Sequence, residues 1–236
     1  MIRARDLRHR YPNGVAALDG VGLDVAAGER VAVLGPNGAG KTTLMLRIGG
    51  LLAGDGELAV DGRVGLVFQD PDDQLFMPTV REDVAFGPLN LGCTRAEALD
   101  RVGEALAAVR MEHVAGRAPH QLSLGQRRRV AIATVLAMRP SLLVLDEPSA
   151  NLDPRSRREL LEVLDGLGGT MLVVTHDLPF AAVLCERALV LSGGRFAADG
   201  PCLDVLGDDA LLARHDLELP EGFDLARLAP WGRIAA

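Results

Sequence analysis

The sequence predicts an α/β fold built on a doubly wound sheet. Three observations predict it. Short apolar runs recur along the 236 residues, helical patterns lie between several of them, and an ordinary balance of 48% apolar and 24% charged residues supplies one large core. A chain of this length buries enough surface to need no disulfide or metal staple; at roughly 150 residues per domain it is one large domain or two small ones, and the expectation is a single domain over residues 1–236.

The first 25 residues stand apart. Ile2–Arg8 and Ala17–Val25 read as strands around the turn Pro12-Asn13-Gly14, which makes an antiparallel N-terminal flap. The runs Val31–Leu34, Val64–Phe68, Leu142–Leu145, Met171–Val174 and Ala188–Leu191 are rich in Val and Leu, as strands buried on both faces are. Helical patterns cover Lys41–Leu51, Arg95–Val109, Gly125–Met138, Pro154–Leu167 and Pro179–Glu186. Between about 71 and 139 no strand pattern occurs, so this stretch is expected to be a mostly helical insertion. Residues 201–236 read as a short, partly helical C-terminal tail.

A net charge of −7 argues against a dedicated nucleic-acid binder, whose affinity leans on neutralising phosphates. The N-terminus is Arg-rich but lacks the apolar stretch of a signal peptide, and the uncharged segment Val130–Met138 is too short for a bilayer, which takes about 20 residues. The cysteines at 93, 185 and 202 form neither a metal spacing nor an even disulfide set, and are read as reduced thiols of a cytoplasmic protein. The five histidines are scattered, with no ligand pair at helical spacing, so the chain is not expected to sense a metal itself. Of 25 basic residues only Lys41 is a lysine. A compact ammonium on a flexible stem enters an oxygen-lined cradle that a planar guanidinium cannot.

Lys41 stands in the sequence Gly35-Pro36-Asn37-Gly38-Ala39-Gly40-Lys41-Thr42, followed by Thr43, between a strand and a helix. In that context the pattern is a phosphate-binding loop: glycines let backbone N–H groups turn inward, the lysine reaches the β- and γ-phosphates, and the Thr42 hydroxyl is a Mg²⁺ ligand. The apolar run at 142–145 ends in Asp146 and Glu147, at the strand end where such a sheet places its ligand crevice. Asp146 is expected to hold Mg²⁺, and Glu147 to act as general base on the attacking water. The run Arg127-Arg128-Arg129 is expected to be a solvated basic face, with phosphate enrichment as its functional alternative.

Further pieces follow in order: Leu122-Ser123-Leu124-Gly125-Gln126 before a helix, Asn151-Leu152-Asp153 after the carboxylates, Val174-Thr175-His176-Asp177 at a strand end, and Gln69. Together with the phosphate loop, this set resembles the nucleotide-binding subunit of ATP-binding-cassette proteins over about residues 1–205. The resemblance implies an ATPase using ATP and Mg²⁺. It assigns Tyr11 to stacking on adenine, Gln69 to Mg²⁺ and the lytic water, and His176 to the γ-phosphate. Ser123, Gly125 and Gln126 become the signature that closes over a partner chain's ATP, so the working unit is a homodimer or a pair with a related ATPase, with Asp153 near the dimer contact. One position departs from the usual Leu-Ser-Gly-Gly-Gln, because Leu124 replaces its first glycine.

The stretches Val67–Phe76 and Val80–Pro88 narrow the likeness to the energy-coupling-factor importers. That implies a peripheral subunit on the cytoplasmic face of the cell membrane, docked on an integral coupling protein that works with a substrate-capture protein. The apolar residues Leu75, Phe76 and Met77 are expected to line the docking groove, with Asp72 and Asp73 at its rim. Cobalt or nickel is the expected cargo and a vitamin the alternative. A non-transport cassette ATPase would show a long coiled coil, and a kinase or GTPase would lack the signature and the Asn-Leu-Asp element.

Overall fold

The computed structural model describes residues 1–228. Along the chain run β1 (Ile2–Arg10), β2 (Ala16–Val25), β3 (Arg30–Leu34), α1 (Lys41–Ile48), β4 (Asp55–Val60) and β5 (Val64–Val67). A helical stretch follows with α2 (Val80–Asn90), α3 (Arg95–Ala108) and α4 (Leu124–Leu136), whose first turns are capped by Thr79, Thr94 and Ser123. The chain then alternates through β6 (Leu142–Asp146), α5 (Pro154–Gly166), β7 (Thr170–Val174), α6 (Leu178–Leu184) and β8 (Arg187–Ser192), and closes with β9 (Arg195–Pro201), α7 (Cys202–Leu206) and α8 (Asp209–Arg214).

The central sheet has the order β5-β6-β7-β3-β8-β9, parallel except for β9, which returns antiparallel to β8. Alternate side chains of its strands point to opposite faces, and both faces are buried. Val31, Val33, Leu142, Val144, Leu172 and Val174 pack toward α1 and the N-terminal strands. Ala32, Leu34, Leu143, Leu145, Met171 and Val173 pack toward the helices of the other layer. The expected α/β architecture is therefore present, with one antiparallel edge.

The N-terminal flap exceeds the sequence reading. The hairpin turns at Gly14 (φ 87°), and β1 gains a second partner in β4, giving a separate antiparallel sheet β2-β1-β4. β4 and β9 carry no apolar run that would announce them, being half-exposed edge strands with polar residues and glycines. Residues 229–236, the end of the expected tail, lie outside the described residues. Cys185 and Cys202 are buried, which pushes the first thiol well up and the second to about 12.

Two expectations about side chains need correction. The Arg127–Arg129 run is not a solvated face: Arg128 is 1% exposed, Arg129 is buried against Glu159 at 3.1 Å, and Arg127 pairs with Asp72 at 3.1 Å. The reason is register, since Arg128 shares the inward face of α4 with Ala131, Ile132 and Val135, all buried. Leu75 is buried in the core of the helical layer, so it cannot line an exposed groove, whereas Phe76 is 61% exposed. Leu75→Ala is accordingly expected to lower the unfolding free energy by about 2–4 kcal/mol. Denaturant titration checks this, and an unchanged midpoint would count against the packing described.

Candidate nucleotide site

The loop between β3 and α1 makes the site. Gly35 has φ 151° and a Cβ there would lie 2.1 Å from the Leu191 carbonyl oxygen; Gly40 has φ 105° and its Cβ would lie 2.1 Å from that of Ala17. Both positions need glycine for conformation and for space. Gly40 caps α1 without a side-chain bond, and the first turn holds no acidic residue, so its N–H groups stay available to an anion.

Lys41 is 7% exposed and donates from Nζ to the carbonyls of Gly35 at 2.7 Å and Pro36 at 3.0 Å. Burial pushes its ammonium below the ordinary lysine range, while Glu147 and Asp146 oppose the shift. The Thr42 hydroxyl donates to Asp146 Oδ2 at 3.3 Å. Burial, reinforced by the neighbouring Glu147, raises the Asp146 carboxyl above its usual value. A buried carboxylate beside a hydroxyl is a set of hard oxygen donors suited to Mg²⁺. Thr43 Oγ1 shares a 3.0 Å hydrogen bond with the Tyr11 hydroxyl, and His9 meets the Tyr11 ring edge-on. Tyr11, Asn37, Gly38, Gly40, Lys41, Thr42, Thr43, Gln69, Asp146 and Glu147 line one open cleft of about 280 Å³. Gly35, Pro36 and Ala39 complete the loop behind it.

Glu147 closes the cleft with its backbone in the left-handed region, at φ 44°. Its Oε2 accepts from the Thr175 hydroxyl at 2.9 Å and the His176 backbone N–H at 3.3 Å, and Oε1 lies 2.8 Å from His176 Nδ1. The carboxylate is thus aimed from the end of β7. Behind it Asp177 accepts two bonds from Arg157, at 2.8 and 2.7 Å, and one from Ser149 at 2.8 Å. Burial alone would raise the Asp177 carboxyl, but these partners bring it below the usual range. Thr175, Ser149 and Arg157 had no role in the sequence reading; the N-cap pattern Asp177-Leu178-Pro179 was the available signal.

The signature residues stand elsewhere. Ser123 caps α4 in a reciprocal pair with Gln126 and is exposed, outside the cleft of its own chain. Gly125 packs so tightly on α5 that a Cβ would come 2.7 Å from Ser156. Leu124 is half-buried in the first helical turn with no positive φ, so its backbone does not require glycine. Asp153 caps α5 through the N–H groups of Arg155 and Ser156.

A second cleft, about 670 Å³, opens on the helical layer between Met77, Ala85, Phe86, Leu89, Ala98 and Leu99. Phe86, Leu89 and Leu99 are exposed, and Phe76 stands edge-on to Phe86 at 5.0 Å. Asp83, itself buried, accepts the backbone N–H groups of Phe76 and Met77 at 3.0 Å each and fixes that wall.

Comparisons with known proteins bear on the family and the fold. The profile of the ABC transporter family matches residues 18–150. SCO3161 of Streptomyces coelicolor, provisionally named an ABC transporter ATP-binding protein, is 59% identical, with 92% of this chain and 89% of that protein covered. The energy-coupling factor transporter ATP-binding protein EcfA of Methanothermobacter thermautotrophicus is 46% identical, with 95% and 78% covered. The cobalt import ATP-binding protein CbiO of Rhodobacter capsulatus is also 46% identical, with 100% and 92% covered. Among solved structures, cbiO1 of Clostridium perfringens, described as part of the complex cbiONQ, superposes with a TM-score of 0.79 at 34% identity, covering 93% and 95%. The dimeric cassette MJ0796 with ADP and Pi bound superposes at 0.76 and 30% identity, covering 86% and 99%.

Proposed function

We propose, on the premise that this chain belongs to the ABC transporter family and is one of its ATPases, that it powers cobalt or nickel import through a separate membrane protein. The energy-coupling-factor type is supported by the relatives named EcfA and CbiO. The reading of a docked subunit rests on one observation: residues 69–77 border the nucleotide cleft at Gln69 and the apolar groove at Met77. The whole chain, 1–236, is read as a single nucleotide-binding domain with residues 71–139 as its helical subdomain. No helix among the described residues is long and apolar enough to cross a membrane, and a peripheral position on the cytoplasmic face follows from the docking reading.

In the proposed mechanism Lys41 leaves its loop carbonyls to neutralise the β- and γ-phosphates of ATP, joined by the open N–H groups of α1. The sequence Gly35-Pro36-Asn37-Gly38-Ala39-Gly40 wraps those phosphates, and Tyr11 stacks on the adenine with its hydroxyl tied to Thr43. Thr42, Asp146 and Gln69 would hold Mg²⁺, which when bound offsets phosphate charge. Glu147 takes the proton of the attacking water, and His176 orients Glu147 and reaches the γ-phosphate. Ser123, Gly125 and Gln126, lying outside their own cleft, serve the ATP of a partner chain, so the unit is a homodimer or a pair with a related ATPase. Dimer closure then moves two grooves together, because contacts that differ between states shift the equilibrium.

The groove reading moves from Leu75 to Phe86 and Leu99. Phe86→Ser with Leu99→Ser is expected to leave ATP affinity within about twofold, since neither residue borders the nucleotide cleft, and to remove most partner affinity because buried aromatic and aliphatic anchors dominate such interfaces. Co-purification from detergent-solubilised membranes, together with uptake of radioactive cobalt and nickel by cells, measures both. Retained co-purification moves the docking surface elsewhere. Uptake of a vitamin but of neither metal assigns the alternative cargo.

A further inference from the structure

Arg128, from the Arg127–Arg129 run, is the largest of the fully buried side chains among the described residues and has had no part in the site described so far. Its Nη1 donates to the Glu147 carbonyl and its Nη2 to the Ala150 carbonyl, each at 3.2 Å, while Nε is buried without a partner. These carbonyls bracket a turn whose first residue, Glu147, is held in the left-handed region at φ 44°, with Asn151 at φ 60° just beyond its end. A glutamate in that region persists only where its surroundings over-determine it. The turn's own closing bond, from the Ala150 N–H to the Glu147 carbonyl at 3.1 Å, is a single restraint. The guanidinium supplies two more from a different element, in a planar fork that spans both acceptors. It also sits in the field of Asp70, Asp146 and Glu147, which favours its charge against burial.

We propose that Arg128 is a positioning residue for hydrolysis: carried on α4, it clamps the Glu147–Ala150 turn and so aims the Glu147 carboxylate at the water. This deepens the assignment of Glu147 as general base and rests on it. The same helical turn reaches the segment after Gln69 through Arg127, which pairs with Asp72. The first turn of α4 therefore touches both loops that border the γ-phosphate end of the cleft.

The test is Arg128→Met, which fills the same space without leaving an unpaired buried charge. Losing the aim of a reacting group costs up to ~100-fold in rate, so kcat should fall about 10- to 100-fold. ATP affinity, measured by calorimetry, should stay within about threefold, because Arg128 bonds backbone carbonyls and does not line the nucleotide cleft. Arg128→Lys, with one ammonium in place of the fork, should give an intermediate kcat. Wild-type kcat in a folded Arg128→Met overturns the proposal, and so does a loss of ATP affinity as large as the loss of rate. If Arg128→Met fails to fold, the lysine variant decides, and wild-type kcat there overturns the clamp. Glu147→Gln measured alongside separates the two readings: turnover persisting in it sinks the general base, whereas an inactive Glu147→Gln beside a fully active Arg128→Met sinks only the clamp.

Discussion

Glu147→Gln is expected to bind ATP as tightly as the wild type and to hydrolyse it at least ~100-fold more slowly, the usual size of a general-base contribution. The substitution keeps the shape of the side chain and an acceptor oxygen for the Thr175 hydroxyl, which lies 2.9 Å from the native carboxylate. It removes the capacity to take a proton. Affinity should survive because the cradle is made by the glycines, Lys41 and the α1 terminus, none of which contacts the Glu147 side chain through a hydrogen bond. A chain that binds but cannot hydrolyse should also accumulate as an ATP-bound dimer. Rapid-quench measurement of phosphate release and size-exclusion chromatography with ATP check both parts. Wild-type turnover would falsify the assignment.

Lys41→Ala acts on the other half of the cycle. Nζ donates to two carbonyls of its own loop, which hold the ammonium at the mouth of the glycine turn. Binding ATP exchanges those neutral acceptors for charged oxygens, and each charge-assisted hydrogen bond contributes about 1.5–3 kcal/mol. Two such bonds correspond to a loss of ~100-fold or more in affinity when the amine is deleted. Lys41→Arg is no rescue, because a guanidinium is too broad and rigid for a pocket that leaves the native side chain 7% exposed. Isothermal calorimetry with a slowly hydrolysed ATP analogue measures the change. Affinity within threefold of wild type would remove Lys41 from the phosphate site.

Much of the candidate site was legible because its residues lie in short, contiguous stretches. The phosphate loop occupies consecutive residues between a strand and a helix, and Asp146 and Glu147 are neighbours at a strand end, so pattern and position coincide. The central strands were legible for a related reason: burial on both faces leaves them nothing polar to show. β4 and β9 were not, because edge strands answer to pairing partners far away in sequence. Arg128 was hidden by the chemistry of its neighbours. Three arginines in a row read as surface, and only the helical period linking Arg128 to Ala131, Ile132 and Val135 points it inward. Leu75 was misplaced because an apolar run in a loop gives no period from which to separate a buried Leu75 from an exposed Phe76. The contacts that aim Glu147 come from β7 and α4, which are remote in the chain, and no local pattern announces them.

The solitary lysine has a practical corollary. A protease that cuts only after lysine finds one bond in the whole chain, between Lys41 and Thr42, inside the first turn of a helix packed between two sheets. Cleavage there requires the segment to leave its place, so the appearance of two fragments clocks the opening of that segment, by local or by global unfolding. Bound nucleotide, by holding that turn, should slow the clock. The composition that makes Lys41 conspicuous on paper thus turns the nucleotide cradle into a built-in reporter of its own stability.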